Sequence, residues 1–158
     1  MRHPLARLSA CIEEWKKNSM PEMTNEQLIQ KARSVINPHK LGDYLVGDVG
    51  CALVTDRGNV YLGVCIDVGS GIGFCAEHSA IAAMVTAGEY RIGRIVAVWQ
   101  DGKDTYILSP CGRCREFIRQ IDEGNIETEV ILDSDKVIKL AELLPYSDWF
   151  HKLGESPS

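Results

Sequence analysis

Two short cysteine motifs, Cys75-Ala76-Glu77 and Pro110-Cys111-Gly112-Arg113-Cys114, restrict the folds open to this chain, because thiols that share one metal must meet at one point. Cys75, Cys111 and Cys114 supply three thiolates. Three protein ligands leave tetrahedral zinc one open position, which can hold a reactive water. Glu77, two residues past the first thiol, would stay outside the ligand set and be free to carry protons.

The spacing also predicts local structure. Residues three apart lie on one helix face, so Cys111 and Cys114 can face one ion if the first turn of a helix begins near Pro110, whose ring suits that turn. The run from Cys75 to Met84 is rich in alanine and reads as a second helix with Cys75 at its N-terminus. Partial positive charge at two helix N-termini is expected to favour all three thiolates. Arg113, between two ligands, and His78, directly after Glu77, are placed to offset the remaining negative charge. A lone Cys-x-x-Cys also suits a redox pair or half of a structural zinc site. A structural site would need a fourth ligand, and Cys65 or His78 would be nearest in sequence.

Elsewhere the patterns are those of one mixed α/β domain. Apolar residues at Leu5, Leu8, Ile12 and Trp15 have a helical period, followed by a break at Asn18-Ser19-Met20-Pro21, so residues 1–22 read as an N-terminal extension. Thr24-Asn25-Glu26-Gln27 has the form of a capping box opening a helix to about Ile36. Residues 49–55 and 60–64 flank Asp56-Arg57-Gly58-Asn59 and read as a hairpin. Strands are expected at 95–99, 105–108 and 129–132, with the Cys111 helix running to about Ile121. A hairpin followed by strand–helix alternation predicts a single three-layer domain: a mixed sheet of about five strands with helices on both faces.

Composition limits the partners. A chain of 158 residues, 45% apolar and 25% charged, has material for one real core. Its net charge of −5 gives no basic stripe for a phosphate backbone, which favours a small molecule over a nucleic acid polymer. No apolar run has the length of a membrane span, and the first twenty residues lack the apolar middle of a secretion signal. Of six cysteines, Cys11, Cys51 and Cys65 remain outside the motif and read as reduced thiols, which makes a cytoplasmic location the expectation.

Cys-x-Glu followed by Pro-Cys-x-x-Cys is the zinc deaminase signature, and the chain resembles the cytidine deaminase superfamily in its three-cysteine, tetrameric branch. The stretches Ile107-Leu108-Ser109-Pro110-Cys111-Gly112-Arg113-Cys114-Arg115 and Glu142-Leu143-Leu144-Pro145 are most similar to blasticidin-S deaminases, then to ordinary cytidine deaminases. The likeness spans roughly residues 24–150, placing a zinc-dependent deaminase domain at 23–158. It implies one Zn²⁺ per chain held by the three cysteines, Glu77 as the catalytic proton carrier, and hydrolysis of a cytosine-type amine to a carbonyl. It also implies that the Ser109 carbonyl accepts from the substrate amine, that N–H groups near Ala76 hold the ring oxygen, and that the protein is a homotetramer.

The same resemblance shows where the chain departs from the pattern. Cytidine deaminases read the ribose with an Asn-x-Glu pair, and Cys65 and Asp67 occupy those places here. Gly47 stands where an aromatic ring packs on the pyrimidine. The expected substrate is therefore a cytosine nucleoside or analogue with a bulkier or positively charged sugar substituent, or a free modified base. The competing classes are a non-catalytic zinc domain, disfavoured because Glu77 has no duty in a zinc cage, and a polynucleotide deaminase, disfavoured by the charge.

Overall fold

Thr24 sets the start of the first helix. Its hydroxyl accepts from the Gln27 amide at 3.2 Å, and the Gln27 side chain accepts from the Thr24 amide at 2.9 Å, the reciprocal capping that the sequence predicts. Helix α1 (Asn25–Ser34) ends two residues before the expected Ile36. The computed structural model describes residues 23–147 and Leu153. The extension at 1–22, its expected helical stretch and Cys11 lie outside the described residues.

Seven strands form one sheet: β1 (His39–Leu41), β2 (Tyr44–Thr55), β3 (Val60–Ile66), β4 (Ile92–Asp101), β5 (Asp104–Leu108), β6 (Glu129–Asp133) and β7 (Lys136–Lys139). Five of these match the expected strands. The additional β1 and β7 are short, and β1 is exposed along its whole length, so neither carries the apolar alternation that marks a half-buried strand. β4 and β6 pair in parallel and the other described pairs are antiparallel, so the sheet is mixed.

Alternation along the central strands divides the core into two layers, as a period of two requires. Cys51 and Leu53 of β2, Ile95 and Ala97 of β4 and Val130 of β6 face helices α2 (Ala76–Thr86) and α3 (Gly112–Ile121), against Ala80, Ile81, Met84 and Ile118. Ala52, Val96, Val98 and Ile131 face the opposite way, against Leu28, Ile29 and Ala32 of α1. Helices therefore cover both faces, as expected. A 3₁₀ turn (Glu123–Glu127) follows α3, and a short α4 (Leu140–Leu143) follows β7.

One glycine sets how closely α2 lies on the sheet. A Cβ at Gly63 would come within 2.7 Å of the Ala76 carbonyl oxygen and 2.6 Å of Ser79 Cβ. Its absence lets the first turn of α2 rest directly on β3, and Ser79 fastens it by donating to the Val64 carbonyl at 2.6 Å. The N-terminus of α2 is thereby held against the strand that ends beside Cys65.

Candidate active site

Cys75 and Cys111 are the N-cap residues of α2 and α3, both with extended backbone (φ −69° and −66°). The second helix thus starts at Gly112, and Pro110 precedes the cap instead of sitting in the first turn as expected. Pro110 is buried, and its carbonyl accepts from Arg115 Nε at 2.8 Å. Arg115 also donates to the Leu143 carbonyl at 3.1 Å, so the segment ahead of Cys111 is tied to the C-terminal turn. Cys114 lies inside α3, fully buried.

The two helix ends bring the thiols together. Cys75 Sγ is 3.8 Å from Cys111 Sγ, and Cys111 Sγ is 3.4 Å from Cys114 Sγ. Ligand sulfurs about 2.3 Å from tetrahedral zinc stand about 3.8 Å from one another, so the spacing suits the metal. His78 Nδ1 also lies 3.6 Å from Cys114 Sγ, and Cys75, His78 and Cys114 form a donor group within 4.8 Å of one another. Two triads therefore share Cys75 and Cys114, one completed by Cys111 and the other by His78. The His78 ring stacks on Phe117, with centroids 4.4 Å apart and planes 15° from parallel.

Electrostatics favour a cation at this point. Burial raises the Cys75 thiol, with Cys111 and Glu77 adding to the rise. Burial, followed by the charges and contacts of Glu77, Cys111 and Cys75, raises Cys114 far above its ordinary value. Burial also acts upward on Cys111, but hydrogen bonds, including those from the Cys114 and Arg113 amides, outweigh it and hold that thiol low. The helix-terminus effect expected for all three cysteines thus prevails for Cys111 alone. The other two need a neighbouring positive charge to ionise, which a zinc ion supplies. The Arg113 guanidinium donates to the Gly73 carbonyl at 3.2 Å; burial, with the Arg113 charge adding to it, keeps the His78 imidazole pKa low.

Beside the sulfurs is a cavity of about 180 Å³ lined by Cys65, Cys75, Ala76, Glu77, Ser109 and Cys111, with Val49, Ala97 and Leu108 as apolar wall. Glu77 is only 5% exposed, and this burial raises its carboxyl pKa, which brings it toward the range useful for proton transfer near neutrality. Cys114 and His78 are not among the lining residues. Glu77, Ala76, Ser109 and Cys65 thus share one wall system, whereas Asp67 lies exposed just past β3 and outside the lining.

A residue without an evident sequence signal, itself outside the lining, touches the Cys65 sulfur. Along β2 the register with β3 jumps from Val46 opposite Ile66 to Gly50 opposite Val64, a bulge that contains Gly47, Asp48 and Val49. Gly47 has φ +77°, and a Cβ there would come 2.6 Å from the Asn37 carbonyl oxygen, so no aromatic side chain fits this backbone. The bulge places Asp48 Oδ1 2.9 Å from Cys65 Sγ, which donates to it, while the Val49 amide donates to the same sulfur at 3.4 Å. Burial and then the Asp48 hydrogen bond raise the Cys65 thiol, keeping it a donor. Asp48 was legible only as a polar residue before an apolar run; its partner is set by the bulge, which periodicity cannot reveal.

A family model described as the cytidine and deoxycytidylate deaminase zinc-binding region matches residues 22–129. A cytidine deaminase of Mycobacterium tuberculosis (strain ATCC 25618 / H37Rv) is 32% identical over 99 residues, which are 61% of this chain and 69% of that protein. A blasticidin-S deaminase of Bacillus cereus is 40% identical over 76 residues, 44% of this chain and 54% of that protein. Among solved structures, a cytidine deaminase from Burkholderia pseudomallei superposes with a TM-score of 0.64 at 29% identity, over 78% of this chain and 98% of the other. One from Mycobacterium leprae gives 0.62 at 26%, over 76% and 96%.

Proposed function

We propose, from the premise that this chain belongs to the cytidine and deoxycytidylate deaminase zinc-binding family, that it deaminates a modified cytosine nucleoside. The chain is a hydrolytic deaminase acting on a C–N bond, and the family region together with the donor cluster fits one zinc ion per chain. The observation that carries the finer reading is a buried Glu77 carboxylate sharing one small cavity with the Cys75 and Cys111 sulfurs.

The ligand set in this reading is Cys75, Cys111 and Cys114. Cys75 and Cys111 border the cavity, and His78 approaches Cys114 from a position outside the lining, where its N–H would steady the thiolate. Zinc, when bound there, would supply Lewis-acid activation of water near neutral pH. Glu77 would take one proton from water as its oxygen bonds to the amine-bearing ring carbon and pass that proton to the ring nitrogen, then carry the remaining hydroxyl proton to the departing amine, so that the C–N bond breaks, ammonia leaves and a carbonyl remains. Ser109 would accept from the amine through its backbone carbonyl, and amides near Ala76 would hold the ring oxygen. The apolar wall of Val49, Ala97 and Leu108 gives the ring a dry slot and limits competing solvent.

Cys65 in place of an amide side chain, and Gly47 in place of an aromatic one, support a modified nucleoside over cytidine itself, since a site lacking ribose partners gains little from ribose. The similarity to a blasticidin-S deaminase favours that compound as a specific alternative. Free cysteines at all five described positions support a reducing, cytoplasmic setting. Among the described residues no helix is long and apolar enough to cross a membrane. A homotetramer belongs to the same reading: Leu41, Tyr44, Leu45, Ile66 and Ile72 are exposed apolar side chains on the β1–β2 hairpin and near the β3–α2 connection, available for burial between copies. Light scattering checks it, and a monomer at working concentration would contradict it.

The test of function is ammonia release by zinc-loaded protein from cytidine, deoxycytidine, blasticidin S, free cytosine and a short single-stranded oligonucleotide. The reading expects turnover of cytosine nucleosides, with a modified one exceeding cytidine in kcat/KM. Turnover of the oligonucleotide alone, or of none, would refute it.

A further inference from the structure

We infer that Arg115 is a positioning residue for the substrate amine: its guanidinium fixes the direction of the Ser109 carbonyl by holding the groups on either side of it. This rests on the deaminase reading above, in which that carbonyl accepts from the amine, and adds the side chain that aims it.

Ser109 lines the cavity, and among the described residues no hydrogen bond ends on its backbone carbonyl. The peptide unit carrying this carbonyl is closed by Pro110, which has no N–H. An ordinary peptide is steadied through its own N–H as well as its C=O. If the Ser109 carbonyl is left for a ligand, its unit can be steadied only through its neighbours. Arg115 holds both. Its Nε donates to the Pro110 carbonyl at 2.8 Å, and its Nη2 donates to the Ser109 hydroxyl at 3.4 Å. One acceptor lies after the planar unit and one before it, so the carbonyl cannot turn without disturbing one of these bonds.

The third arm gives the hold a fixed reference. Nη1 donates to the Leu143 carbonyl at 3.1 Å, at the end of α4. Leu143 packs against the same core layer as Ala76 and Ala97, in which Leu140 is fully buried. At its own backbone Arg115 donates to the Cys111 carbonyl at 3.0 Å in the first turn of α3. One planar fork therefore joins the segment between β5 and α3 to two helices. All three side-chain acceptors are uncharged oxygens, and a lysine ammonium on its flexible stem does not reproduce the fork that reaches them together. Aim matters here because a misplacement on the order of 1 Å can cost about a hundredfold in rate.

The experiment uses Arg115→Lys and two ligands that differ only at the amine. One is cytidine; the other is the ribonucleoside of pyrimidin-2-one, which carries hydrogen in place of the amine and is read as a competitive inhibitor. In zinc-loaded protein the substitution should lower kcat/KM for cytidine at least tenfold, change Ki for the pyrimidinone nucleoside less than threefold, and leave zinc at one per chain. A merely structural role loosens the whole cavity and moves both ligands alike. The ratio of the two changes is therefore decisive: threefold or more supports the inference, and a smaller ratio, or loss of zinc, overturns it. If Arg115→Lys does not fold, Ser109→Ala removes one of the two anchors and keeps the backbone carbonyl; the same ratio should again reach threefold, and a smaller one overturns the inference. Wild-type turnover of cytidine with equal changes in the variant sinks this inference alone. A wild type that releases no ammonia from cytidine refutes the premise that this carbonyl receives its amine, and the inference with it.

Discussion

Cys75 Sγ and Cys111 Sγ lie 3.8 Å apart across 36 residues of chain, each at the N-cap of a different helix. An N-cap position leaves the side chain beside the unpaired amides of the first turn, so two helix ends converge where thiolates need stabilising. Glu77 follows Cys75 within the first turn of α2 and is buried toward the same cavity.

This geometry separates the roles of Cys111 and His78. Cys111→Ser should lower zinc content well below one per chain, because a ligand bordering the cavity is lost. His78→Asn should keep close to one zinc per chain, with Asn still able to donate toward Cys114. Metal analysis of the two purified variants decides between them, and the reverse pattern would assign His78 as the third ligand.

A buried amide ties the site to the rest of the fold. Asn125 accepts from the Ile92 amide at 2.8 Å and donates to the Tyr90 and Ile118 carbonyls at 2.9 and 3.1 Å, linking the start of β4 to α3 and the 3₁₀ turn. Asn125→Leu strands these backbone groups without water, and a loss on the order of 3 kcal/mol is expected from the cost of unsatisfied buried partners. Urea denaturation measures it, and a change below about 0.5 kcal/mol, the range of an ordinary surface substitution, would contradict the assignment.

Glu89 gives the fold a dependence on pH. The Thr55 hydroxyl is the largest influence lowering its carboxyl pKa, with Tyr61 and Asn59 adding to it, at 2.8 and 2.6 Å from Oε1. A pKa depressed on folding means that the carboxylate contributes stability above the ordinary carboxylate pKa, which is lost as pH falls through the lower folded value. Glu89→Gln should therefore flatten the acid side of the Tm profile relative to wild type. Parallel wild-type and variant curves from neutrality down through the carboxylate range would show that Glu89 carries no such linkage.

The two cysteine motifs were legible because particular residue types at short, helix-compatible spacings require no knowledge of long-range pairing, and the fold does bring Cys75, Cys111 and Cys114 together. The central strands were equally readable: Ala52 and Val96 face one layer, Cys51 and Ile95 the other, as alternation demands. Pro110 misled by its preference for a first helical turn, since a cap residue between it and the helix leaves the same φ acceptable. β1 escaped notice because all of its residues are exposed. Asp48 escaped because register, set by pairing with β3, decides which face a residue takes, and the first half of β2 reads as a loop when Gly47 and Asp48 are weighed on local preference alone.

The most direct measurement is of Glu77→Gln, in which the side chain keeps nearly the same shape but cannot carry a proton. Zinc content and single-turnover ammonia release from the preferred cytosine nucleoside are read on the same purified sample. Zinc should remain at one per chain while the rate falls by a factor of 10² or more, the scale of a positioned acid–base group. Loss of zinc in that variant, or a rate within threefold of wild type, would contradict the role assigned to Glu77 and with it the mechanism built on this cavity.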